Sequence, residues 1–150
     1  MMKRTLAGSV LTGFVLSGAV SPQPQQTPGE RWPPAALVVG SFDDDYGSRH
    51  VVTREVWMHG KSARYAIVRW NAKEQYLIAQ NAATNPSDPG LWSRIDWMPL
   101  ENMAPFTWAF CMSAYKAKTA EEAEQTTIAN REMPKTGCGG FPFTRMKRVD

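Results

Sequence analysis

The stretch Tyr65–Asn81, YAIVRWNAKEQYLIAQN, decides the fold class. It holds two short runs, YAIVRW and QYLIAQN, rich in β-branched and aromatic residues. Between them NAKE is a polar break of hairpin length, and strands joined by so short a loop run antiparallel. The same pattern extends outward in both directions. ALVVGSF is broken by DDDYGS, and HVVTREVWM ends at His59-Gly60. NAATNPSDPG is a longer loop with strong breakers, after which LWSRIDWM and FTWAFCMSAY are joined by PLENMAP. The expectation is a mainly β domain, a small antiparallel barrel or twisted sheet of about six to eight strands. One helix interrupts it, in TAEEAEQTTIAN. Thr119 and Glu122 there have the Thr-x-x-Glu spacing of a capping box, and Ala120, Ala123, Thr127 and Ile128 supply a narrow apolar face. Pro134 prevents much continuation, and the helix is expected against an edge or end of the sheet.

The beginning of the chain reads differently. Met1-Met2-Lys3-Arg4 is basic and is followed by the uncharged, apolar TLAGSVLTGFVLSGAV. That is the form of a secretory signal peptide, residues 1–19, with small residues Ser17 and Ala19 before the cut. The run is short for a membrane span, which needs roughly 20 apolar residues, so no span is expected after cleavage. Residues 20–34, including SPQPQQTPGERWPP, are rich in Pro and Gln and read as a flexible tether. One domain, residues 35–150, then follows. At about 115 residues it can bury a core without extra stapling. Of the 17 basic and 14 acidic residues, Lys3 and Arg4 leave with the cleaved segment, so the net charge falls from +3 to +1. The remaining basic cluster, Arg145-Met146-Lys147-Arg148, reads as a solvated tail. Nucleic acid is not an expected partner, because no sustained basic face is present.

Cys111 and Cys138 are the only two cysteines. In an exported chain they read as a disulfide, worth roughly 3–4 kcal/mol in chain entropy. The rival is a zinc site pairing both cysteines with His50 and His59, but neither pair has close ligand spacing. No metal and no cofactor are therefore expected. The acidic turn Asp43-Asp44-Asp45 lacks the spacing and the glutamate of a calcium loop and reads as a polar turn. HGKS, His59–Ser62, lacks the glycine a phosphate loop needs five residues before Gly60, where Glu55 stands. Asn85-Pro86-Ser87 fails as a glycosylation site because proline holds the middle position.

The segment LWSRIDWM raises the main functional question. Alternation sends Leu91, Ser93, Ile95 and Trp97 one way, and Trp92, Arg94, Asp96 and Met98 the other. By the same parity Arg69 shares a face with Tyr65 and Ile67, and Arg54 with Val52, Val56 and Met58. If those faces lined a barrel interior, Arg54, Arg69, Trp92, Arg94, Asp96 and Met98 would converge on a pocket for an anionic or amphipathic small molecule. If they faced outward, they would form a solvated surface. No catalytic residue stands out. His50 with Asp43 or Asp45 is the one general-base arrangement the sequence offers.

SFDDDYG, YAIVRWNAKEQYLIAQN, LWSRIDWM, WAFCMSAY and GCGGFPFTRMKR together resemble segments of a family of small exported bacterial proteins of no assigned activity. The resemblance spans nearly all of the mature domain. It implies a periplasmic or extracellular location and carries no activity, cofactor or site residue. The reading is then an exported, non-enzymatic binding protein for a small amphipathic or anionic ligand. The alternatives are an envelope or inhibitor module that docks on another protein, and a hydrolase built on His50.

Overall fold

A computed structural model of the chain describes residues 36–149. The signal-like segment and the Pro/Gln-rich tether lie outside the described residues. Eight strands, β1 (Gly40–Asp44), β2 (Arg49–Val52), β3 (Val56–His59), β4 (Ala63–Asn71), β5 (Tyr76–Asn81), β6 (Trp92–Pro99), β7 (Trp108–Ala117) and β8 (Thr144–Arg148), form a closed antiparallel barrel. Each strand pairs with its sequence neighbour, and β8 closes the ring on β1 through Phe42↔Arg148 and Asp44↔Met146. An eight-stranded barrel has an interior just wide enough for side chains to fill. Here it is filled. Phe42, Trp57, Trp70, Leu77, Ile95, Trp97, Trp108, Phe110 and Met146 form one buried cluster along the axis. Trp108 meets Phe42 edge-on at 5.0 Å between ring centres, and Trp57 meets Phe110 at the same distance. Edge-to-face contacts of this kind add stabilisation beyond area burial.

One end of the barrel is plugged. Val38, fully buried, enters ahead of β1, and the Arg148 guanidinium lies 4.8 Å over the Phe42 ring while donating to the carbonyls of Ala36 and Val39. Arg145-Met146-Lys147-Arg148 is thus the closing strand and not a solvated tail, because Met146 and Thr144 supply its inward parity. HVVTREVWM is likewise two strands. The Thr53 hydroxyl accepts from the backbone N–H groups of Glu55 and Val56 and folds the chain over at Thr53–Glu55.

The helix α1 (Ala120–Gln125) begins as the sequence implies, with Thr119 accepting from the Glu122 N–H. The Glu122 carboxylate accepts from the Lys118 N–H, one residue outside the usual box. It is only six residues long, so Thr127 and Ile128 fall beyond it. A closed barrel has no edge to receive it. Ala120 and Ala123 seat it instead on the outer wall, over Tyr76, Ile78, Ala114 and Ala117 of β5 and β7. The return segment from Thr126 to Phe143 continues along that wall, tied to β7 by the Cys111–Cys138 disulfide. Gly137 makes this seat possible, since a Cβ there would lie 1.9 Å from the Asn130 carbonyl oxygen.

Candidate functional site

The polar face of LWSRIDWM lies on the outer wall, under α1 and the return segment. Asp96, 1% exposed, accepts from Arg94 Nε and Nη2 at 2.9 Å each, from Ser113 Oγ at 2.5 Å and from Arg131 Nη2 at 3.2 Å. Arg94 also donates to the Glu124 carbonyl and stacks on Tyr76, 4.0 Å from the ring centre. The Glu124 carboxylate accepts from the Tyr76 hydroxyl at 2.7 Å and pairs with Arg69. Arg131, on the return segment, further donates to the carbonyls of Trp97 and Gln75. The buried side chains of Arg94 and Asp96 are answered within the fold, as burial of such groups requires. This network fastens helix and loop to barrel.

Of the six residues singled out in the sequence, Arg69, Trp92, Arg94 and Asp96 gather around α1, on the outside of the barrel. Arg69 arrives there because a β-bulge between Ile67 and Arg69 shifts the register, so that Ile67 faces Ala79 but Arg69 faces Ile78. It therefore shares no face with Tyr65 and Ile67. Arg54 stands apart and exposed in the β2–β3 turn, and that turn splits the face expected for it: Val52 pairs with Trp57 toward the core, whereas Val56 and Met58 point the other way. Met98 packs against Ala109, Cys111 and Phe143, beneath the return segment.

The opposite end of the barrel from the Arg148 plug is a cleft of roughly 400 Å³, and its residues come from the acidic turn and the strands that flank it. The three successive aspartates have three fates. Asp43 turns outward to Arg49 and Asp45 reaches across to Arg145. Asp44 shares the inward parity of Phe42 and is 6% exposed. Its Oδ1 accepts from the N–H groups of Tyr46 and Ser48 at 2.9 and 2.7 Å, and its Oδ2 meets His50 Nε2 at 2.9 Å. Burial alone would raise the Asp44 pKa, but the His50 bond and the two backbone donors outweigh it and hold the carboxyl below its usual value.

Trp57 Nε1 lies 3.0 Å from His50 Nδ1. An indole nitrogen can only donate, so Nδ1 must be the acceptor and the single proton of a neutral ring sits on Nε2, facing Asp44. A second proton would set two donors against each other. Burial, the largest influence, also lowers the His50 pKa, and the Asp44 bond opposes it without prevailing. His50 is therefore a buried neutral histidine. His59 stacks on it with ring centres 4.3 Å apart and planes 13° from parallel. Tyr46 and Tyr65 stand at the rim, with Trp57, Phe110 and Met112 below.

No family model matches this chain, and no curated protein or solved structure matches it.

The chemistry open to the cleft follows from its hydrogen bonds. Asp44, His50 and His59 offer ligand atoms within 4.8 Å of one another. A metal on His50 Nε2 would require the proton to move to Nδ1, where the Trp57 N–H already points. Metal-bound histidines donate from their other nitrogen, which this arrangement forbids. The same bond leaves His50 no free lone pair for general-base work, and its carboxylate partner is Asp44, neither Asp43 nor Asp45. The cysteines are joined to each other, away from both histidines. The sequence offers Asp44 only as part of an acidic turn, His59 only as a rival zinc ligand with the cysteines and Tyr65 only as a neighbour of Arg69, and nothing in it singles out Trp57; it assigns none of the four to this cleft. Counting alternate residues from Phe42 and from Trp57 would have found Asp44, Trp57 and His59, since each sits at an inward position of its strand.

A second concavity, of roughly 540 Å³, lies outside the barrel between the acidic turn, the β6–β7 loop and the return segment. Leu100, Met103, Pro134, Pro142 and Phe143 line it, and Tyr46 forms the ridge it shares with the mouth. Nearby on the return segment, Phe141 is 73% exposed and Met133 56% exposed.

Proposed function

We propose that this protein is an exported, non-enzymatic binding protein that receives a small amphipathic molecule at the mouth of its barrel. One observation carries the reading. The axis is packed with indole and phenyl rings everywhere except at the mouth, where buried polar groups and aromatic faces border a cleft of ligand size. Of the arginines expected to attract an anion, Arg69 and Arg94 are spent on Glu124 and Asp96 in the outer wall and Arg54 stands apart in an exposed turn, so the amphipathic half of the expectation keeps its support and the anionic half loses it. Export is supported by the signal-like first 19 residues and by the disulfide, since cytosolic thiols are kept reduced. Among the described residues no helix is long and apolar enough to cross a membrane.

The test is native mass spectrometry of the exported, oxidised protein set beside its denatured mass. A reproducible extra mass that vanishes on denaturation, and that is absent from a Tyr65→Leu variant, supports a ligand at the mouth. An extra mass that Tyr65→Leu leaves unchanged moves the ligand elsewhere. A second reading, docking on another protein, is favoured by the outer groove and the exposed Phe141 and Met133, since exposed apolar patches commonly mark interaction sites. A bare mass, together with a specific envelope protein captured by the parent and lost on Phe141→Ser, would put that reading first.

A further inference from the structure

We propose that the mouth recognises an organic cation, a methylated or quaternary ammonium head presented to Asp44 and the aromatic rings around it; this rests on the mouth being the binding site. Three features converge on that chemistry. The first is charge. Asp43 and Asp45 have arginine partners, whereas Asp44 has only backbone N–H groups and the neutral His50. The Trp57 donor keeps His50 from becoming the missing cation. A carboxylate therefore stands at the mouth with no positive partner, and no lysine or arginine is among the residues lining the cleft.

The second is the wall. Tyr46, Trp57, Tyr65, Phe110 and His59 border the cleft, with the Met112 thioether beside them. Aromatic faces attract a cation through the ring quadrupole, and cages of such rings with a nearby carboxylate suit ammonium groups too weakly hydrated to prefer water. The third is the exclusion of a metal. With His50 committed to Trp57 and Asp44, a divalent ion would find only Asp44 and His59 at the mouth, too few for the four-coordinate protein sites zinc adopts. An ammonium head needs no inner-sphere ligands, only a negative field and polarisable faces.

The experiment is calorimetry on the oxidised protein at pH 8 with choline, with its neutral carbon isostere 3,3-dimethylbutanol, and with zinc chloride, each followed by the ring signals of Trp57 and His59. The expected result is that choline binds and shifts both signals, and that the isostere binds at least about tenfold more weakly. Tyr65→Leu, at the rim and outside the Asp44 network, should weaken choline by about three- to thirtyfold. Asp44→Asn should weaken it more, and if that variant does not fold the Tyr65 result still decides. Equal binding of choline and isostere overturns the cation proposal and leaves the mouth reading standing. Stoichiometric zinc with no choline binding overturns it in favour of a metal. If no probe binds, the proposal falls, and the mouth reading falls with it only if the mass retained on export also survives Tyr65→Leu.

Discussion

Replacing Asp96 by alanine separates a structural fastening from a ligand site on the outer wall. Asp96 is 1% and Arg94 7% exposed, so the substitution would strand a guanidinium that has almost no access to water. Removing one partner of a buried pair costs about 3–5 kcal/mol, chiefly because the other charge is left uncompensated. Arg94 would keep its bond to the Glu124 carbonyl and its stacking on Tyr76, which places the expectation near the lower end, about 3 kcal/mol. That is a large share of the roughly 5–15 kcal/mol typical of a domain. Arg131→Ala should cost far less, about 1 kcal/mol, since that side chain is 30% exposed and charge pairs with access to water are weak. Urea titration of both variants at constant slope gives the two numbers. Residues held in place for a ligand commonly stabilise the free protein when removed. An Asp96→Ala variant as stable as the parent, or more so, would refute the fastening and return this face to the ligand.

Reduction, or the double substitution of Cys111 and Cys138 by serine, should cost about 3.5 kcal/mol for a sequence separation of 27; thermal melting of the oxidised and serine forms measures it, and equal melting would contradict the account. Gly137→Ala should dislodge the return segment, because its Cβ would meet the Asn130 and Met133 carbonyl oxygens at 1.9 and 2.6 Å. The expected loss is about 2–3 kcal/mol, seen as a lower melting temperature and faster disulfide reduction. Stability should also fall with acid in a defined order. His50 is held below its usual 6.5, so the unfolded chain takes up that proton first and stability declines as the pH drops below about 6.5. Asp44, held below its usual 3.8, adds a further loss as the pH falls beneath that value. His50→Gln can keep both hydrogen bonds while removing the proton site, and it should flatten the first part of the curve; an unchanged slope would show that His50 does not set it.

Most strands were legible as runs of β-branched and aromatic residues between breakers, though β2 and β3 read as one run, and the helix start was legible because Thr119 and Glu122 carry a local signal. Closure was not. β8 turns Met146 into the core among Arg145, Lys147 and Arg148, and so dense a set of charges reads as a tail unless the partner strand is known. Arg69 was assigned to the wrong face because parity breaks silently at the bulge after Ile67, where no glycine or proline marks it. Asp44 was hidden by its neighbours, since three aspartates in a row look like one solvated turn. The pairing of β1 with β2 and β8 carries the strand on through Asp44, so that the parity of Phe42 turns the middle one inward. The pair Arg94 and Asp96 was correctly placed on a single face, but sequence could not say that a six-residue helix and a disulfide-tethered loop would cover it.

The most direct test of the mouth is the state of His50, read from long-range proton–nitrogen spectra of the imidazole rings near pH 7. The account predicts a neutral ring with its proton on Nε2 and an accepting Nδ1, which leaves Asp44 a carboxylate without a cation of its own. An imidazolium, or a proton on Nδ1, would contradict it, because Asp44 would then be answered from within the fold or the Trp57 bond would be absent, and the mouth would have no vacancy of charge for a ligand to fill.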